Sequence, residues 1–130
     1  MGVTREVTTD GNGDKPKTGE IVYVHYTGEL LSGHKFDSSR DRCKPFSFKI
    51  GQGQVIKAWD EGICQMQVGE KCKLTCSPDY GYGKKGFPPV IPPNSTLVFY
   101  IELLGIDTVE EAKAAAIALK EYQRANNDLN

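Results

Sequence analysis

Short stretches of this chain alternate apolar and polar residues, which is the period of a β-strand with one buried face. The longest stretch is rich in β-branched and aromatic residues and is interrupted near Gly28. A turn cluster at residues 10–13 follows the first stretch, and Ser32-Gly33 follows the second. The pattern predicts strands over residues 4–9, 20–31, 35–38, 46–50, 72–76 and 97–103.

The period changes to that of a helix between the fourth and fifth predicted strands. Apolar residues recur there at i, i+4, i+8 and i+11, namely at Val55, Trp59, Ile63 and Met66. We expect a short amphipathic helix that is weakened by Gly62 and ends near residues 68–69. So short a helix cannot cover both faces of a flat sheet. Residues 1–107 are therefore predicted to adopt an α+β fold, with a curved antiparallel β-sheet wrapped around one short α-helix.

Residues 108–130 have a different character and are predicted to form a C-terminal helical extension. Thr108 and Glu111 have the spacing of a capping box at a helix N-terminus. Five alanines between residues 112 and 118 favour helix strongly, and Asn126-Asn127 is expected to end it. The apolar stripe is narrow and made of small side chains, so this helix should bury little surface against the rest of the chain.

Composition and charge exclude several classes of function. The chain has 130 residues, a length that suits one compact domain. The net charge of −1, with signs alternating along the chain, provides no basic surface for nucleic acid. There is no apolar run of membrane-spanning length and no apolar signal segment, so we expect a cytoplasmic protein that does not enter membranes.

Four cysteines are present, at positions 43, 64, 72 and 76, and buried free thiols are the favoured interpretation. Cys72 and Cys76 have a spacing close to that of zinc ligands. On a strand, however, their Cα atoms would be about 13 Å apart, which is too far for one metal ion. Neither a metal site nor a cofactor is predicted.

The candidate chemistry lies in large aromatic residues near loops. A long Gly- and Pro-rich loop over residues 77–95 carries Tyr82 and Phe87, which cannot both belong to a core. Asp37 would be costly to bury alone, and Arg40 and Arg42 are close enough in sequence to pair with it. No serine lies in a nucleophile motif, His25 is more consistent with a structural role, and His34 is expected in a solvated turn. The pattern indicates an aromatic pocket with few polar groups.

At this level of detail the chain resembles the FKBP family, the immunophilin peptidyl-prolyl cis-trans isomerases. The resemblance covers about residues 1–107, in order and with the family's spacing. The stretches that carry it are Val24-His25-Tyr26-Thr27-Gly28, Lys35-Phe36-Asp37-Ser38-Ser39-Arg40, Val55-Ile56-Lys57-Ala58-Trp59-Asp60-Glu61-Gly62, Met66-Gln67-Val68-Gly69-Glu70-Lys71, Ser77-Pro78-Asp79-Tyr80-Gly81-Tyr82-Gly83 and Ile91-Pro92-Pro93-Asn94-Ser95-Thr96-Leu97.

The resemblance implies a pocket between the sheet and the short helix, with Trp59 as its floor. It implies that the Tyr82 hydroxyl and the Ile56 backbone N–H bind substrate carbonyls, and that Asp37 accepts from a ligand hydroxyl or pairs with Arg42. The walls would be formed by Tyr26, Phe36, Phe46, Val55, Ile56 and Phe99, and the rim by Phe87, Val90 and Ile91. Catalytic roles fall on Phe36, Asp37, Trp59, Tyr82 and Phe99. Phe87 and Pro89 depart from residues that the family often uses.

The implied activity is isomerisation of X–Pro bonds in peptides and proteins, without nucleophile, metal or cofactor. The family also implies binding of tacrolimus and rapamycin, with inhibition by both and drug-dependent complexes with calcineurin or the TOR kinase. Two other interpretations remain open: a binding module without turnover, and a scaffold that acts through the C-terminal helix. The chain is expected to be mostly monomeric. A weak dimer is a further hypothesis, in which Pro88-Pro89 holds the rim extended and inserts it into a second copy's pocket.

Overall fold

The computed structural model describes residues 2–128, and across them six antiparallel strands form one sheet. The order along the sheet is β1-β5-β6-β2-β3, and β4 also pairs with β2. The strands are β1 (Val3–Thr9), β2 (Ile21–Leu30), β3 (Lys35–Ser38), β4 (Phe46–Lys49), β5 (Lys71–Cys76) and β6 (Leu97–Asp107). The helices are α1 (Lys57–Gly62) and α2 (Val109–Asp128), and short 3₁₀ turns lie at Ile63–Gln65 and Pro78–Tyr80. The predicted α+β class is confirmed.

Alternation along the strands determines which face is buried. Every second residue of β2, β5 and β6 is directed at α1, and the residues between them face outward. The core side chains that these three strands contribute are Val22, Val24, Tyr26, Cys72, Leu74, Cys76, Leu97, Phe99, Ile101 and Leu103. The pairing of β2 with β6 shifts register between Tyr23 and Val24, and such a bulge increases local twist. The sheet therefore presents one apolar face to the helix.

The predicted interruption of the second strand at Gly28 is wrong. β2 continues through Gly28, which pairs with Phe99 on β6. A Cβ on this glycine would come within 2.6 Å of Phe36 Cζ and 2.9 Å of Phe99 Cε1. Gly28 therefore allows two aromatic rings to approach the backbone of a strand that stays continuous.

The helix over residues 55–66 is shorter than its periodicity predicts. It begins at Lys57, because Ile56 has the extended backbone of a cap (φ −60°, ψ 153°). It ends at Gly62, where a Cβ would come within 2.9 Å of Leu74 Cδ1, and the chain continues as a 3₁₀ turn. Met66 is fully buried but extended. The apolar spacing therefore predicts burial correctly, but only the six residues from Lys57 to Gly62, half of the stretch, are α-helical.

The C-terminal helix stands apart from the core. Its capping box is present: the Glu111 amide donates to Thr108 Oγ1 over 3.1 Å, and the Thr108 amide donates to Glu111 Oε2 over 3.3 Å. Between residues 110 and 126 every side chain is exposed except that of Ala112, which is partly buried. The expectation that α2 buries little is confirmed, although the helix continues past Asn126-Asn127 to Asp128. No helix within residues 2–128 is both long and apolar enough to span a membrane.

The cysteines do not share one environment. Cys72 and Cys76 are buried free thiols, and burial raises the pKa of Cys72 to about 12 and of Cys76 to about 11. Cys64 is half-buried, and burial also raises its pKa. Cys43 is exposed in the loop before β4, so the expectation of burial is wrong for this residue. It lies outside the alternating strands, where the sequence carries no burial signal.

Candidate active site

A cavity of about 190 Å³ lies between α1 and the concave face of the sheet. Its floor is Trp59, whose side chain is only 5% exposed and whose indole N–H has no acceptor within residues 2–128. The cavity brings together residues from β2, β3, β4, β6, α1 and two loops. They are Tyr26, Phe36, Asp37, Phe46, Gln54, Val55, Ile56, Trp59, Tyr82 and Phe99.

Aromatic edges surround the indole of Trp59. The ring centroids of Tyr26, Phe46 and Phe99 lie 4.7, 5.7 and 5.4 Å from it, with interplanar angles between 72° and 83°. Phe36 in turn packs edge-on against Phe99 at 5.8 Å. Edge-to-face pairs at these distances are favourable beyond their apolar area, so each ring restrains its neighbours. The result is a walled apolar cavity of defined shape.

One ionised network lies at the edge of this cavity. Arg42 donates from Nη1 to Asp37 Oδ1 over 2.5 Å and from Nη2 to the Tyr26 hydroxyl over 2.9 Å, while that hydroxyl donates to Asp37 Oδ2. Burial raises the pKa of the Asp37 carboxyl, but the hydrogen bonds from Tyr26 and Arg42 outweigh it and hold this pKa below its ordinary value. Burial and the bond to Asp37 raise the pKa of Tyr26. Asp37 is therefore a carboxylate at neutral pH.

Arg40, the other predicted partner of Asp37, is committed elsewhere. Its Nη2 donates to Glu102 Oε1 on the outer face of the sheet over 2.7 Å. His25 lies on that face too and shares a 2.9 Å hydrogen bond through Nδ1 with the hydroxyl of Ser39, which is fully buried. This partner agrees with the structural role expected for His25. The polar residues on the outer face are thus separate from the cavity.

Two hydrogen-bond donors at the mouth of the cavity have no acceptor within residues 2–128. The Ile56 carbonyl accepts from Trp59 and Asp60, but its own N–H precedes the helix and makes no hydrogen bond there. The Tyr82 hydroxyl likewise has no partner in the described chain, and this side chain is 41% exposed. Burial, followed by the negative charge of Asp37, raises the pKa of Tyr82, so the hydroxyl keeps its proton.

The rim beside Tyr82 is a folded turn. Phe87 and Ile91 exchange two backbone hydrogen bonds of 2.8 and 2.9 Å, and the Pro88-Pro89 peptide between them is cis. The Phe87 ring is 53% exposed and stacks on Tyr82, with centroids 5.7 Å apart and planes at 24°. The expectation that Pro88-Pro89 holds this loop extended is wrong, because closure by the two backbone bonds makes it a tight turn. Self-association through this turn stays a hypothesis, but an extended loop no longer supports it.

A second hollow of about 230 Å³ adjoins the cavity on this side. It shares Phe36, Asp37 and Tyr82 with the main cavity and adds Phe87, Val90 and Ile91. Every residue predicted to line the pocket or its rim therefore contacts one of the two hollows, or contacts Asp37 in the case of Arg42. Gln54 also lines the cavity but was not predicted. Its position directly before Val55 is the only sequence signal for it.

A wider cleft elsewhere is a poorer candidate. It measures about 830 Å³ and lies between the loop at residues 13–20, Val68 and the start of α2. Five of its ten lining residues are charged, and none is aromatic: Gly13, Asp14, Lys15, Lys17, Glu20, Val68, Gly105, Ile106, Thr108 and Glu111. Ligand sites are usually concave and mostly apolar, with a few polar groups directed into them. The cavity over Trp59 has these properties, and the wider cleft does not.

Comparison with known proteins shows the family to which this chain belongs. Residues 12–104 match the family model for FKBP-type peptidyl-prolyl cis-trans isomerase. The chain is 63% identical over 108 residues to FK506-binding protein 1A of Aspergillus fumigatus, covering 82% of this chain and 96% of that protein. It is 58% identical over 108 residues to the peptidyl-prolyl cis-trans isomerase of Schizosaccharomyces pombe and to Fkbp12 of Drosophila melanogaster, covering 82% of this chain and 96% and 100% of those proteins. The chain belongs to the FKBP-type peptidyl-prolyl cis-trans isomerases, and it is an enzyme of that class.

Proposed function

We propose that the cavity over Trp59 accelerates rotation about X–Pro bonds by desolvating the amide and fitting its twisted form. The barrier, about 18–20 kcal/mol, arises from resonance that makes the C–N bond partly double. The planar amide is more dipolar than the twisted one, so water stabilises the ground state more. Transfer into an apolar cavity removes that preference, and rigid walls favour the shape of the transition state. A rate gain of about 10⁴–10⁶ requires only about 5–8 kcal/mol.

The two unpaired donors at the mouth of the cavity are the observation that carries this proposal. A substrate bound over Trp59 would place backbone carbonyls at its entrance, where the Ile56 N–H and the Tyr82 hydroxyl donate to no acceptor within residues 2–128. Each such hydrogen bond contributes about 0.5–1.5 kcal/mol, so the pair orients the peptide without accounting for the whole rate gain. The aromatic walls supply the remainder by excluding water.

The substrate preference follows from the same surroundings. The residue before proline lies against Phe36, Tyr82 and Phe87, which are apolar, and close to the carboxylate of Asp37. A negatively charged side chain there loses water and meets a like charge. We therefore propose that Leu-Pro and Phe-Pro peptides are better substrates than Glu-Pro peptides.

Tacrolimus and rapamycin are proposed to bind this cavity and inhibit the enzyme. Three of the relatives are named FK506-binding proteins, which supports the drug proposal for this chain. Asp37, held ionised by Arg42, would accept a hydrogen bond from a drug hydroxyl. Exposed Phe87 and Val90 would border the bound drug and contribute to a composite surface for calcineurin or the TOR kinase.

An isomerisation assay on matched Leu-Pro and Glu-Pro peptides, with and without rapamycin, tests the proposal. We expect faster turnover of Leu-Pro, complete inhibition at one drug per protein, and a several-fold lower rate for Tyr82→Phe with retained fold. Equal rates on both peptides would contradict the proposed subsite. Tight drug binding without turnover would instead support a binding module.

A further inference from the structure

The loop that carries the Ile56 amide is held by a side chain from the helix below it. Residues 51–56, which lie between β4 and α1, are here called the rim loop; they are distinct from the turn at residues 87–91. The amides of Gly51 and Gly53 donate to the two carboxylate oxygens of Asp60, over 2.9 Å to Oδ1 and 3.0 Å to Oδ2. Two amides that are separated by one residue thus donate to a single carboxylate, which fixes the curvature of the loop from Gly51 to Gly53.

The ends of the rim loop have other restraints, because Gly51 lies against Thr18 and both Val55 and Ile56 pack against the core, but its middle has few. Gly51 and Gly53 have positive φ values of 76° and 71°, a conformation that glycine adopts freely but does not favour over others. A Cβ at Gly53 would meet no atom within 4 Å, so packing does not restrain that residue. A side-chain bond closes the base of the loop, from the Lys49 amide to Gln54 Oε1 over 3.0 Å. The Asp60 carboxylate is therefore the main restraint on the loop's middle.

Asp60 is adjacent to Trp59 in the single regular turn of α1. Trp59, which forms the floor of the cavity, and Asp60, which binds the rim loop, therefore belong to one short rigid element. The Asp60 amide also donates to the Ile56 carbonyl over 3.3 Å, so the same residue holds both ends of the rim loop. Any displacement of the loop relative to Trp59 must break these bonds.

We propose that Asp60 is a positioning residue for the isomerase reaction, which holds the Ile56 N–H at a set height above Trp59 by binding the Gly51 and Gly53 amides. The inference rests on the proposed role of the Ile56 N–H. Without the carboxylate, the rim loop samples other conformations, and only a fraction of molecules presents the donor correctly. The apparent affinity for substrate falls by that fraction. Substrate that does bind restores the loop, so turnover of the complex changes much less.

Asp60→Ala is the direct test, and Glu61→Ala is its matched control. Glu61 lies next to Asp60 in α1 and is exposed, and it accepts neither the Gly51 nor the Gly53 amide. We expect Asp60→Ala to raise KM for a Leu-Pro peptide at least fivefold with kcat within twofold of the wild type. Glu61→Ala should leave both constants unchanged. Asp60→Glu restores two acceptors on a longer stem and should recover part of the KM change.

Amide NMR of the drug-free proteins supplies a readout that a loss of stability does not produce. The Gly51 and Gly53 amide signals should lose the downfield shift of a hydrogen bond to carboxylate and exchange at least tenfold faster in Asp60→Ala. If that variant folds poorly, Asp60→Asn, which keeps one acceptor, should release one of the two amides. An unchanged KM in a variant whose glycine amides are released would overturn the inference, as would equal effects of Asp60→Ala and Glu61→Ala.

Failure of the proposed function is recognised separately. In that case rapamycin leaves the Ile56 amide signal of the wild type unmoved, whatever Asp60 does to Gly51 and Gly53. If rapamycin shifts the Ile56 signal and Asp60→Ala leaves KM unchanged, the positioning role alone is wrong.

Discussion

Replacing Gly28 with alanine tests whether the wall formed by Phe36 and Phe99 sets the shape of the cavity. The new Cβ would lie 2.6 Å from Phe36 Cζ and 2.9 Å from Phe99 Cε1, whereas ordinary contact begins near 3.4 Å. Phe99 is 3% exposed and packs on Trp59, so it has nowhere to move. Phe36 is half-buried and must retreat by about 0.8 Å, the difference between 3.4 and 2.6 Å.

The size of the effect follows from this overlap. Forcing one extra methyl group into a packed site costs about 1–3 kcal/mol, so we expect the midpoint of thermal unfolding to fall by about 5–10 °C. A wall displaced by nearly 1 Å no longer fits the twisted amide, and misplacement on that scale lowers kcat/KM by about 10- to 100-fold. Thermal unfolding and an isomerisation assay at 10 °C measure the two effects on one preparation.

Gly105→Ala is the matched control for the same substitution in the paired strand. A Cβ at Gly105 meets no atom within 4 Å, so both stability and kcat/KM should stay close to those of the wild type. Activity of Gly28→Ala equal to that of Gly105→Ala, per folded molecule, would refute the reasoning. In that case the position of Phe36 would not matter to catalysis.

Three further predictions concern the ionised network, the C-terminal helix and the thiols. Asp37→Val should weaken tacrolimus binding at least tenfold while the fold persists, and unfolding with unchanged affinity per folded molecule would show a structural role instead. The pKa of Asp37 in the folded protein lies below its ordinary value of 3.8, so the stabilisation from its ion pair is present above pH 3.8 and is lost as pH falls through the folded-state pKa. Because Asp37 stays ionised throughout that higher range, tacrolimus affinity measured as a function of pH should be constant above about pH 5. Removal of residues 108–130 should leave kcat/KM within twofold, because every residue of α2 from 110 to 126 except Ala112 is exposed; a large drop in both activity and melting temperature would contradict this. A thiol reagent should label Cys43 within minutes but Cys72 and Cys76 only on unfolding, as mass spectrometry of the labelled peptides can establish.

Local pattern was enough to predict most elements, whereas the residues expected to line the cavity came from the resemblance to a known family, which did not include Gln54. Strand periodicity reports burial directly, because a side chain on alternate faces either meets the core or meets water. The capping box of α2 is also local, since Thr108 and Glu111 bond each other's amides within one turn. The motifs around Trp59 and Tyr82 predicted the family to which the chain belongs, and the comparisons confirm that prediction.

Residue pattern, without the family resemblance, could not decide between partners that are both close along the chain. Arg40 and Arg42 both lie within five residues of Asp37, yet strand pairing brings Glu102 to Arg40 and leaves Arg42 for the carboxylate. The start of α1 at Lys57 is a second such choice, because apolar spacing is the same whether Val55 is helical or lines a cavity from an extended loop. Such outcomes depend on contacts between residues far apart in sequence, which exist only after the sheet has closed around the helix.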